Sequence, residues 1–350
     1  MLALRLRVIS GPDWTAIGAG ETQLIVTRTP FRLSLGGGGT DLPAYYTKHG
    51  GFFVSGAVNR YMHLVLNDRF EPGIRISYSQ TEIVQSADAI RHPIVRETLK
   101  YLEFRDRIEI VSLADVPAAT GLGSSGSFSV GLLNALYAHQ KVIKTPMEVA
   151  EEACHVAMVR LHEPSGKQDE YTASLGGIRS YEIDREGKVT PRELNISPET
   201  LDELEHGIMM FYTGIKRNAK DILGGQRDRV SSNEGGAAEK MHAIKSIGYE
   251  SRKALESGDL RRFGELLDEH WKVKRGVTDA MTTDGIDHWY ALARERGALG
   301  GKVVGAGGGG FLMLYCEEGR REVRSALAKE GLVEMKFRFD HEGSKVIYNI

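Results

Sequence analysis

The chain has 350 residues, of which 41% are hydrophobic and 26% charged, a composition that excludes disordered, collagen-like and disulfide-based scaffolds. It carries 45 basic and 47 acidic residues, so its net charge is -2. The chain therefore has no excess of positive charge that would attract nucleic acid or an anionic membrane. Two cysteines, Cys154 and Cys316, have no metal-ligand spacing, and we expect a reduced, cytoplasmic protein. No apolar run approaches the roughly 18 residues that span a bilayer. Glycine departs from the average: 41 residues of 350, about 12% against a usual 7%.

The first elements lie near the N-terminus. Residues 1–23 lack the apolar core of a signal peptide, and we interpret them as an N-terminal extension outside the fold. Directly afterwards, in residues 31–35, apolar side chains alternate with polar ones. This period of two predicts a half-buried strand in which Arg32 faces away from the apolar side.

The rest of the chain mixes strands and helices. Strands are predicted at 51–66, 108–113, 207–213, 302–304 and 311–315, with a closing pair of strands after residue 330. Helices are predicted at 124–140, 146–161, 215–230, 236–257, 259–273, 285–297 and 319–330. The polar, proline-containing stretch 191–198 predicts a boundary between an N-terminal domain, 24–195, and an α+β C-terminal domain, 196–350.

The first of three glycine-rich segments is residues 36–41, straight after the 31–35 strand. Glycines such as Gly38 and Gly39 have no Cβ and allow a ligand to approach the backbone closely. Asp41 supplies a carboxylate that could accept hydrogen bonds from the hydroxyl groups of a sugar. The alternative is a tight turn in which Asp41 caps the next helix.

The second segment, residues 117–127, opens a helix that has one apolar face. Free backbone N–H groups and the positive end of the helix dipole would meet there, which favours a phosphate site. The serine hydroxyls could ligate magnesium. The alternative is a serine-capped helix with a flexible entry.

This second segment also contains the spacing G-x-G-x-x-G at Gly121, Gly123 and Gly126. A dinucleotide-binding unit needs a second strand that ends in an acid about 20 residues later, and no such strand follows. No Gly-Lys-Ser/Thr closes the loop as in Walker A, and the protein-kinase motifs His-Arg-Asp and Asp-Phe-Gly are absent from the sequence. A Rossmann oxidoreductase is therefore a distant alternative.

The third segment, residues 305–310, lies between two predicted strands. It could be a simple hairpin connection, although a hairpin needs only one or two glycines.

Further candidates lie outside the glycine segments. Asp169 is a candidate general base, and Lys167 a cation for a phosphate group. Thr213, Arg217 and Lys220 could present a hydroxyl and two cations to an anion. The alternative is that these side chains are solvated groups on the protein surface. The eleven histidines form no metal-binding motif in the sequence.

In this order and over this length, the segments resemble the GHMP kinase superfamily, and the resemblance covers nearly all of residues 25–350. Residues 29–41, Thr-Pro-Phe-Arg-Leu-Ser-Leu-Gly-Gly-Gly-Gly-Thr-Asp, are similar to the first family motif. Residues 117–127 are similar to the nucleotide-phosphate loop, and residues 302–311 to the third motif. The resemblance implies a two-domain α+β fold: an N-terminal domain like ribosomal protein S5 domain 2 and a ferredoxin-like C-terminal domain.

The resemblance also implies residue roles. Asp169 would take or orient the proton of the acceptor hydroxyl, and Arg32 would stabilise the developing charge. The implied ATP-binding residues are Pro117, Gly121, Leu122, Gly123, Ser124, Ser125, Gly126 and Ser127, with Ser125 also on magnesium. The implied substrate-binding residues are Gly38, Gly39, Thr40, Asp41, Lys167, Thr213, Arg217, Gly307 and Gly308. Relatives often carry a second acidic magnesium ligand where residues 156–158 read Val-Ala-Met, and Glu151, Glu152 or Glu163 could replace it.

Within the superfamily, the first motif together with Gly-Lys-Gln-Asp and Tyr-Thr-Gly-x-x-Arg is most similar to heptose 7-phosphate kinases. This implies ATP- and Mg²⁺-dependent phosphorylation of the anomeric hydroxyl of D-glycero-D-manno-heptose 7-phosphate, in a pathway to surface polysaccharide. The partners would be small molecules, with a homo-oligomer left open. The alternatives are a kinase for another sugar, such as fucose or galactose, and a non-catalytic sensor of the same fold.

Overall fold

The computed structural model describes residues 23–104, 107–216, 219–277 and 281–350. The N-terminal extension, apart from Gln23, and Arg217 therefore lie outside the described residues. No helix of the described ranges is both long enough and apolar enough to cross a membrane.

The secondary structure alternates between strands and helices. The strands are β1 (Leu24–Gly36), β2 (Gly51–Asp68), β3 (Ile74–Ser77), β4 (Thr81–Val84), β5 (Ile108–Ala114), β6 (Ile178–Ile183), β7 (Val189–Glu193), β8 (Ile208–Tyr212), β9 (Gly300–Val303), β10 (Phe311–Tyr315), β11 (Val333–Met335) and β12 (Lys345–Asn349). The helices are α1 (Pro43–His49), α2 (Pro93–Tyr101), α3 (Ser124–His139), α4 (Pro146–His155), α5 (Gln168–Leu175), α6 (Pro198–Gly207), α7 (Ala219–Ser232), α8 (Ala237–Ser257), α9 (Leu260–Arg275), α10 (Asp284–Glu295) and α11 (Arg320–Lys329).

The first sheet is built around the long strands β1 and β2. Its order is β12-β1-β2-β5-β3-β4, and β6 pairs with β2 and with β7. All neighbours are antiparallel except β3 and β5. Helices α3, α5 and α8 pack against β1, and this brings the N-terminal ends of α3 and α5 to the same strand.

The second sheet has the order β11-β8-β10-β9, with all neighbours antiparallel. Along the chain it runs strand, helices, two strands, helix, strand, so that the fourth strand lies beside the first and the third beside the second. This is the ferredoxin-like arrangement, and the expectation for the C-terminal part is confirmed.

The closing strands do not form the expected pair. β11 joins β8 in the second sheet, whereas β12 pairs with β1 in the first. The backbone N–H of Leu24 donates to the carbonyl oxygen of Ile350 at 2.9 Å, so the chain ends on the first sheet. The domain boundary near residue 195 stays a proposal, with the C-terminal tail returning to the first sheet.

The strand at residues 31–35 is buried on both faces, not half-buried as its alternation predicts. Because helices cover this part of β1, its polar side chains lie inside the protein as well. Arg32 is only 5% exposed and Ser34 only 6%. Polar side chains enclosed in this way need partners, and those partners define the site described below.

Sequence patterns missed several short elements, namely β3, β4, β6, β7, α2, α5 and α6, because ten residues or fewer give little periodicity to detect. The helix predicted at 146–161 is α-helical to His155 and continues through a π-helical turn, Val156–Arg160. The missed helix α5 matters most, since Asp169 lies in its first turn.

Candidate active site

The second glycine segment forms a loop that ends at the N-terminus of α3. Gly121 and Gly123 have φ angles of 85° and 78°, a left-handed conformation that glycine adopts readily. Ser124 and Ser125 follow in the first turn of the helix, where Ser124 is half-buried and Ser125 exposed. Backbone N–H groups at such a terminus have no partner within the helix and favour an anion.

The loop lies directly against a buried ion pair. Nε and Nη2 of Arg32 approach Oδ1 of Asp169 at 2.8 Å and 2.7 Å, and Nη1 of Arg32 donates to the carbonyl oxygen of Gly121. The side chain of Arg32 is 6% exposed and that of Asp169 is 29% exposed. Both of these nitrogen atoms of Arg32 contact the same carboxylate oxygen, Oδ1.

Gly123, directly before α3, and Gly126, within it, allow the helix to lie close to the ion pair of Arg32 and Asp169. A Cβ at Gly126 would lie 2.6 Å from Cβ of Asp169, and one at Gly123 would lie 3.1 Å from Cγ of Arg32. Any larger side chain would displace the ion pair. The glycines of the second segment are therefore explained by packing against Asp169 as well as by turn geometry.

Asp41 links the first glycine segment to α5. Its Oδ1 accepts from the N–H of Gly39 at 2.9 Å, and its Oδ2 accepts from the N–H of Gln168 at 3.0 Å. Burial raises the pKa of the Asp41 carboxyl. The alternative that Asp41 caps α1 is wrong, because the N-cap position is Leu42 and no side chain caps that helix.

The neighbouring residues of the first segment are enclosed by protein. A Cβ at Gly38 would lie 2.5 Å from Oγ of Ser34, and one at Gly39 would lie 2.8 Å from Nε2 of Gln226. Thr40 is also fully buried, and its hydroxyl donates to the carbonyl oxygen of Phe52 at 2.7 Å. Its predicted role in substrate binding stays a prediction.

Lys167, predicted as a cation for a phosphate group, has protein partners in this structure. Its Nζ donates to both carboxylate oxygens of Glu151, at 2.8 Å and 2.9 Å, and to the carbonyl oxygen of Gly187 at 2.7 Å. The residue is 7% exposed. The role of Lys167 with phosphate and that of Glu151 with magnesium stay predictions.

The other candidate acids and cations pair with each other. Glu152 accepts from Nζ of Lys144 at 2.8 Å, and Lys220 lies 2.7 Å from Glu163. These ion pairs correct the expectation that Glu152 or Glu163 is a ready magnesium ligand and that Lys220 faces an anion.

Two hydroxyl groups predicted to bind ligands contact protein carbonyl groups in this structure. Ser127 is fully buried, and its Oγ donates to the carbonyl oxygen of Pro30 at 2.8 Å, which links α3 to β1. Oγ1 of Thr213 donates to the carbonyl oxygen of Gly310 at 2.8 Å, at the end of the third glycine segment. The ligand-binding roles of Ser127 and Thr213 stay predictions.

The third segment connects β9 and β10, which pair as a hairpin, and it also packs on the second segment. A Cβ at Gly305 would lie 2.6 Å from the carbonyl oxygen of Gly121. Gly307 and Gly308 lie against Met281, whose carbonyl oxygen accepts from the N–H of Gly308 at 2.8 Å. The third segment is therefore a hairpin connection that also packs against the second glycine segment.

Sequence analysis missed several buried charged groups near the site. Glu170 is 4% exposed, and burial together with the charge of Asp169 raises its pKa to about 8. Burial and the charge of Arg32 lower the pKa of Lys274 to about 8. Lys302 is 2% exposed, and its place in the apolar stretch before the third segment was a signal that could have revealed it.

The donor set fits a magnesium ion held mainly by substrate. Within the described ranges, no group of three or more His, Cys, Asp or Glu side chains could hold a metal. Magnesium in phosphoryl-transfer sites is bound by one or two protein oxygens together with phosphate oxygens and water. The exposed hydroxyl of Ser125 is an oxygen of this kind.

A glycine loop at a helix N-terminus beside an arginine–aspartate pair is an arrangement suited to binding a phosphate group. Two family models match the chain: the GHMP kinases N terminal domain at residues 89–177 and the GHMP kinases C terminal domain at residues 251–332. The chain belongs to the GHMP kinase family, and it is accordingly a phosphotransferase with an alcohol group as acceptor.

Individual relatives agree with this assignment. The chain is 30% identical over 338 residues to the D-glycero-alpha-D-manno-heptose 7-phosphate kinase of Campylobacter jejuni, covering 92% of this chain and 98% of the relative. It is 24% identical over 347 residues to an L-fucokinase/L-fucose-1-P guanylyltransferase of Bacteroides fragilis, covering 86% of this chain and 35% of the relative.

The structure of a D-glycero-D-manno-heptose 1-phosphate kinase from Bacteroides thetaiotaomicron superposes with a TM-score of 0.76 at 24% identity, covering 93% of this chain and 99% of that chain. The two-domain fold implied by the sequence motifs is confirmed.

Proposed function

We propose that the protein transfers the γ-phosphoryl group of ATP to the anomeric C1 hydroxyl of D-glycero-D-manno-heptose 7-phosphate. The product would be the 1,7-bisphosphate, in a nucleotide-activated heptose pathway for surface polysaccharide. The observation that carries this proposal is the Arg32–Asp169 pair beside the glycine loop, in a chain similar over most of its length to a heptose 7-phosphate kinase. A cytoplasmic location, where ATP is available, belongs to the same proposal.

The nucleotide would lie along the second glycine segment. Its phosphate oxygens would accept hydrogen bonds from backbone N–H groups at the start of α3, helped by the helix dipole. Mg²⁺, when bound, neutralises charge on the phosphate groups, with Ser125 as a protein ligand. Phosphoryl transfer needs positioning and charge stabilisation more than covalent chemistry, so these few groups suffice.

Asp169 would orient the acceptor hydroxyl through its carboxylate group. A sugar hydroxyl is a weak acid, so its proton moves to Asp169 late, as the new P–O bond forms and the bond to ADP breaks. Arg32 holds Oδ1 of this carboxylate and would place a fixed positive charge beside the group in transfer. Asp41, anchored by two backbone N–H groups, would accept hydrogen bonds from sugar hydroxyls.

The test is ADP release measured against a panel of acceptors: the heptose 7-phosphate, the unphosphorylated heptose, fucose and galactose. We expect turnover to require the phosphorylated heptose, and phosphorus NMR of the product to show a new anomeric phosphate. Fucose and galactose are included because the second relative carries a fucokinase. Turnover on an unphosphorylated sugar alone would reassign the acceptor, and the absence of ADP release with every sugar would favour the non-catalytic sensor.

A further inference from the structure

Two buried lysines near the glycine loops have no acidic partner. Lys302, in β9, is 2% exposed, and Lys274, near the end of α9, is 7% exposed. In the described part of the chain, no carboxylate oxygen lies within ion-pair distance of either ammonium group. The other buried cations of the site differ in this respect, since Arg32 is held by Asp169 and Lys167 by a glutamate.

The contacts of the two lysines are with neutral groups. Nζ of Lys274 donates to the carbonyl oxygen of Gly305 at 2.6 Å, and Nζ of Lys302 lies 3.1 Å from Nδ1 of His270. Burial and the charge of Lys302 lower the pKa of His270, so its ring is neutral and Nδ1 accepts the hydrogen bond. Nε2 of the same ring then carries the proton and, within the described ranges, has no partner.

Both lysines lie at the junction of the second and third glycine segments. Gly305, whose carbonyl oxygen accepts from Lys274, packs directly against Gly121. On the other side of this contact, Arg32 donates to the carbonyl oxygen of Gly121. Lys274 therefore donates to one loop of the junction and Arg32 to the other. A phosphoryl group in transfer would lie at this junction.

The charges around the junction are unbalanced. Lys274 is faced by Arg32 from β1, by Lys302 from β9 and by the carboxyl of Asp41. Lys302 is faced by Lys274 and His270 from α9 and by Arg32; burial and the charges of Lys274 and Arg32 hold the pKa of Lys302 well below its usual range, so its amino group gains a proton readily only when an anion lies nearby. Burial of an unpaired ammonium group is expensive, and a protein retains it where the charge has a use. An anion at the junction would supply the missing balance.

We propose that the amino groups of Lys274 and Lys302 form an interior site that carries positive charge when a phosphoryl oxyanion of bound substrate lies at the junction of the two glycine loops. Both amino groups lie below the surface, so they would act on the oxyanion by electrostatic attraction at a distance and not by direct contact. Lys274 would also position the third segment through its hydrogen bond to the Gly305 carbonyl oxygen. The oxyanion could be the γ-phosphoryl group of the nucleotide or the phosphate of the acceptor. In the second case the inference rests on the proposed function.

The test compares the wild type with Lys274→Met and Lys302→Met, which keep most of the aliphatic stem. Lys253→Met on α8 is the matched control, because Lys253 is 68% exposed and forms a surface ion pair with Glu250. Dissociation constants are measured for four probes: ADP, a non-hydrolysable ATP analogue, the heptose 7-phosphate and the unphosphorylated heptose. At an effective dielectric constant of about 20, a unit charge about 8 Å away changes affinity roughly 30-fold.

We expect either variant to lose affinity by this order for one phosphorylated probe, while its partner lacking that phosphoryl group binds as before. Loss for the ATP analogue but not ADP identifies the γ-phosphoryl group, and loss for the heptose 7-phosphate but not the heptose identifies the acceptor phosphate. Because burial lowers the pKa of Lys274 to about 8, anion binding near pH 8 should also take up protons in the wild type, and less in Lys274→Met. Calorimetry in two buffers of different ionisation enthalpy measures this uptake.

Stability separates this role from a structural one. Removal of an unpaired buried charge should leave Tm unchanged or raise it. Equal affinity of both variants and the wild type for all four probes would overturn the proposal, and so would a lower Tm with uniform weakening of all four. The wild type could bind no heptose 7-phosphate and yet bind the ATP analogue more tightly than ADP, with that difference lost in the two lysine variants. The proposed function would then fail, and the inference about the lysines would stand.

Discussion

Gly126→Ala tests whether the packing of α3 against Asp169, the proposed catalytic residue, sets the rate. The added Cβ would lie 2.6 Å from Cβ of Asp169 and 3.0 Å from its backbone carbonyl carbon. Carbon atoms in contact prefer about 3.5–4.0 Å, so Asp169 or the helix must move by about 1 Å. A displacement of this size can reduce a rate by roughly 10²-fold, and we expect that loss in kcat.

The same substitution has a small effect on stability. Overpacking costs about 1–3 kcal/mol, and alanine regains about 1 kcal/mol of helix propensity over glycine. The net destabilisation of about 0–2 kcal/mol is too small to unfold the protein, so activity and stability are separable. Steady-state ADP release gives kcat and KM, and chemical denaturation gives the free energy of unfolding.

Gly225→Ala is the matched control. Gly225 lies within α7, is exposed, and has no atom within 4 Å of an added Cβ. Alanine there should leave kcat unchanged and stabilise the helix by about 1 kcal/mol. A wild-type kcat in Gly126→Ala would refute the argument that Asp169 is positioned by its contact with α3.

Three further substitutions test single groups. Asp169→Asn should lower kcat by 10²-fold or more with little change in ADP affinity, and unchanged turnover would remove Asp169 from the mechanism. Burial raises the pKa of Glu170 from 4.5 to about 8 in the folded protein. Between these two pH values the folded protein binds more protons than the unfolded one, so its free energy of unfolding falls as pH rises. Glu170→Gln should therefore gain stability over the wild type progressively across that window, whereas parallel denaturation profiles at pH 5 and pH 9 would contradict this. Thr213→Val removes the hydrogen bond to Gly310 and should cost about 1 kcal/mol of unfolding free energy; no loss on denaturation would show that the bond contributes nothing.

The glycine segments were predictable because their constraint is local. A positive φ at Gly121 and a helix that starts at Ser124 both follow from a few consecutive residues. The order of the strands in the second sheet was predictable as well, since the resemblance implied a ferredoxin-like domain and the strand patterns at 207–213 and 311–315 are strongly apolar. Local pattern and family order together therefore established the fold class.

Partners from distant parts of the chain were not predictable. Lys167 looked like a free cation beside a turn, but its partner Glu151 lies sixteen residues earlier, on a different helix. Thr213 looked like a ligand hydroxyl, but Gly310 reaches it from 97 residues away. Conversely, nothing in the sequence around Lys274, at the polar end of α9, indicates that the fold buries it. Which charges meet is decided by tertiary packing, which periodicity in one sequence does not report.

The proposed site would allow a chain of net charge -2 to hold polyphosphate. A basic surface would attract anions of every kind and would be screened by salt. Here Arg32, Lys274 and Lys302, the basic residues of the two proposals, are all at least nine-tenths buried. Interior charges act in a lower dielectric, so a few of them, with oriented backbone N–H groups, match the effect of many on a surface. The glycine excess serves the same end, because at Gly121, Gly126 and Gly305 it lets the loops approach these charges closely.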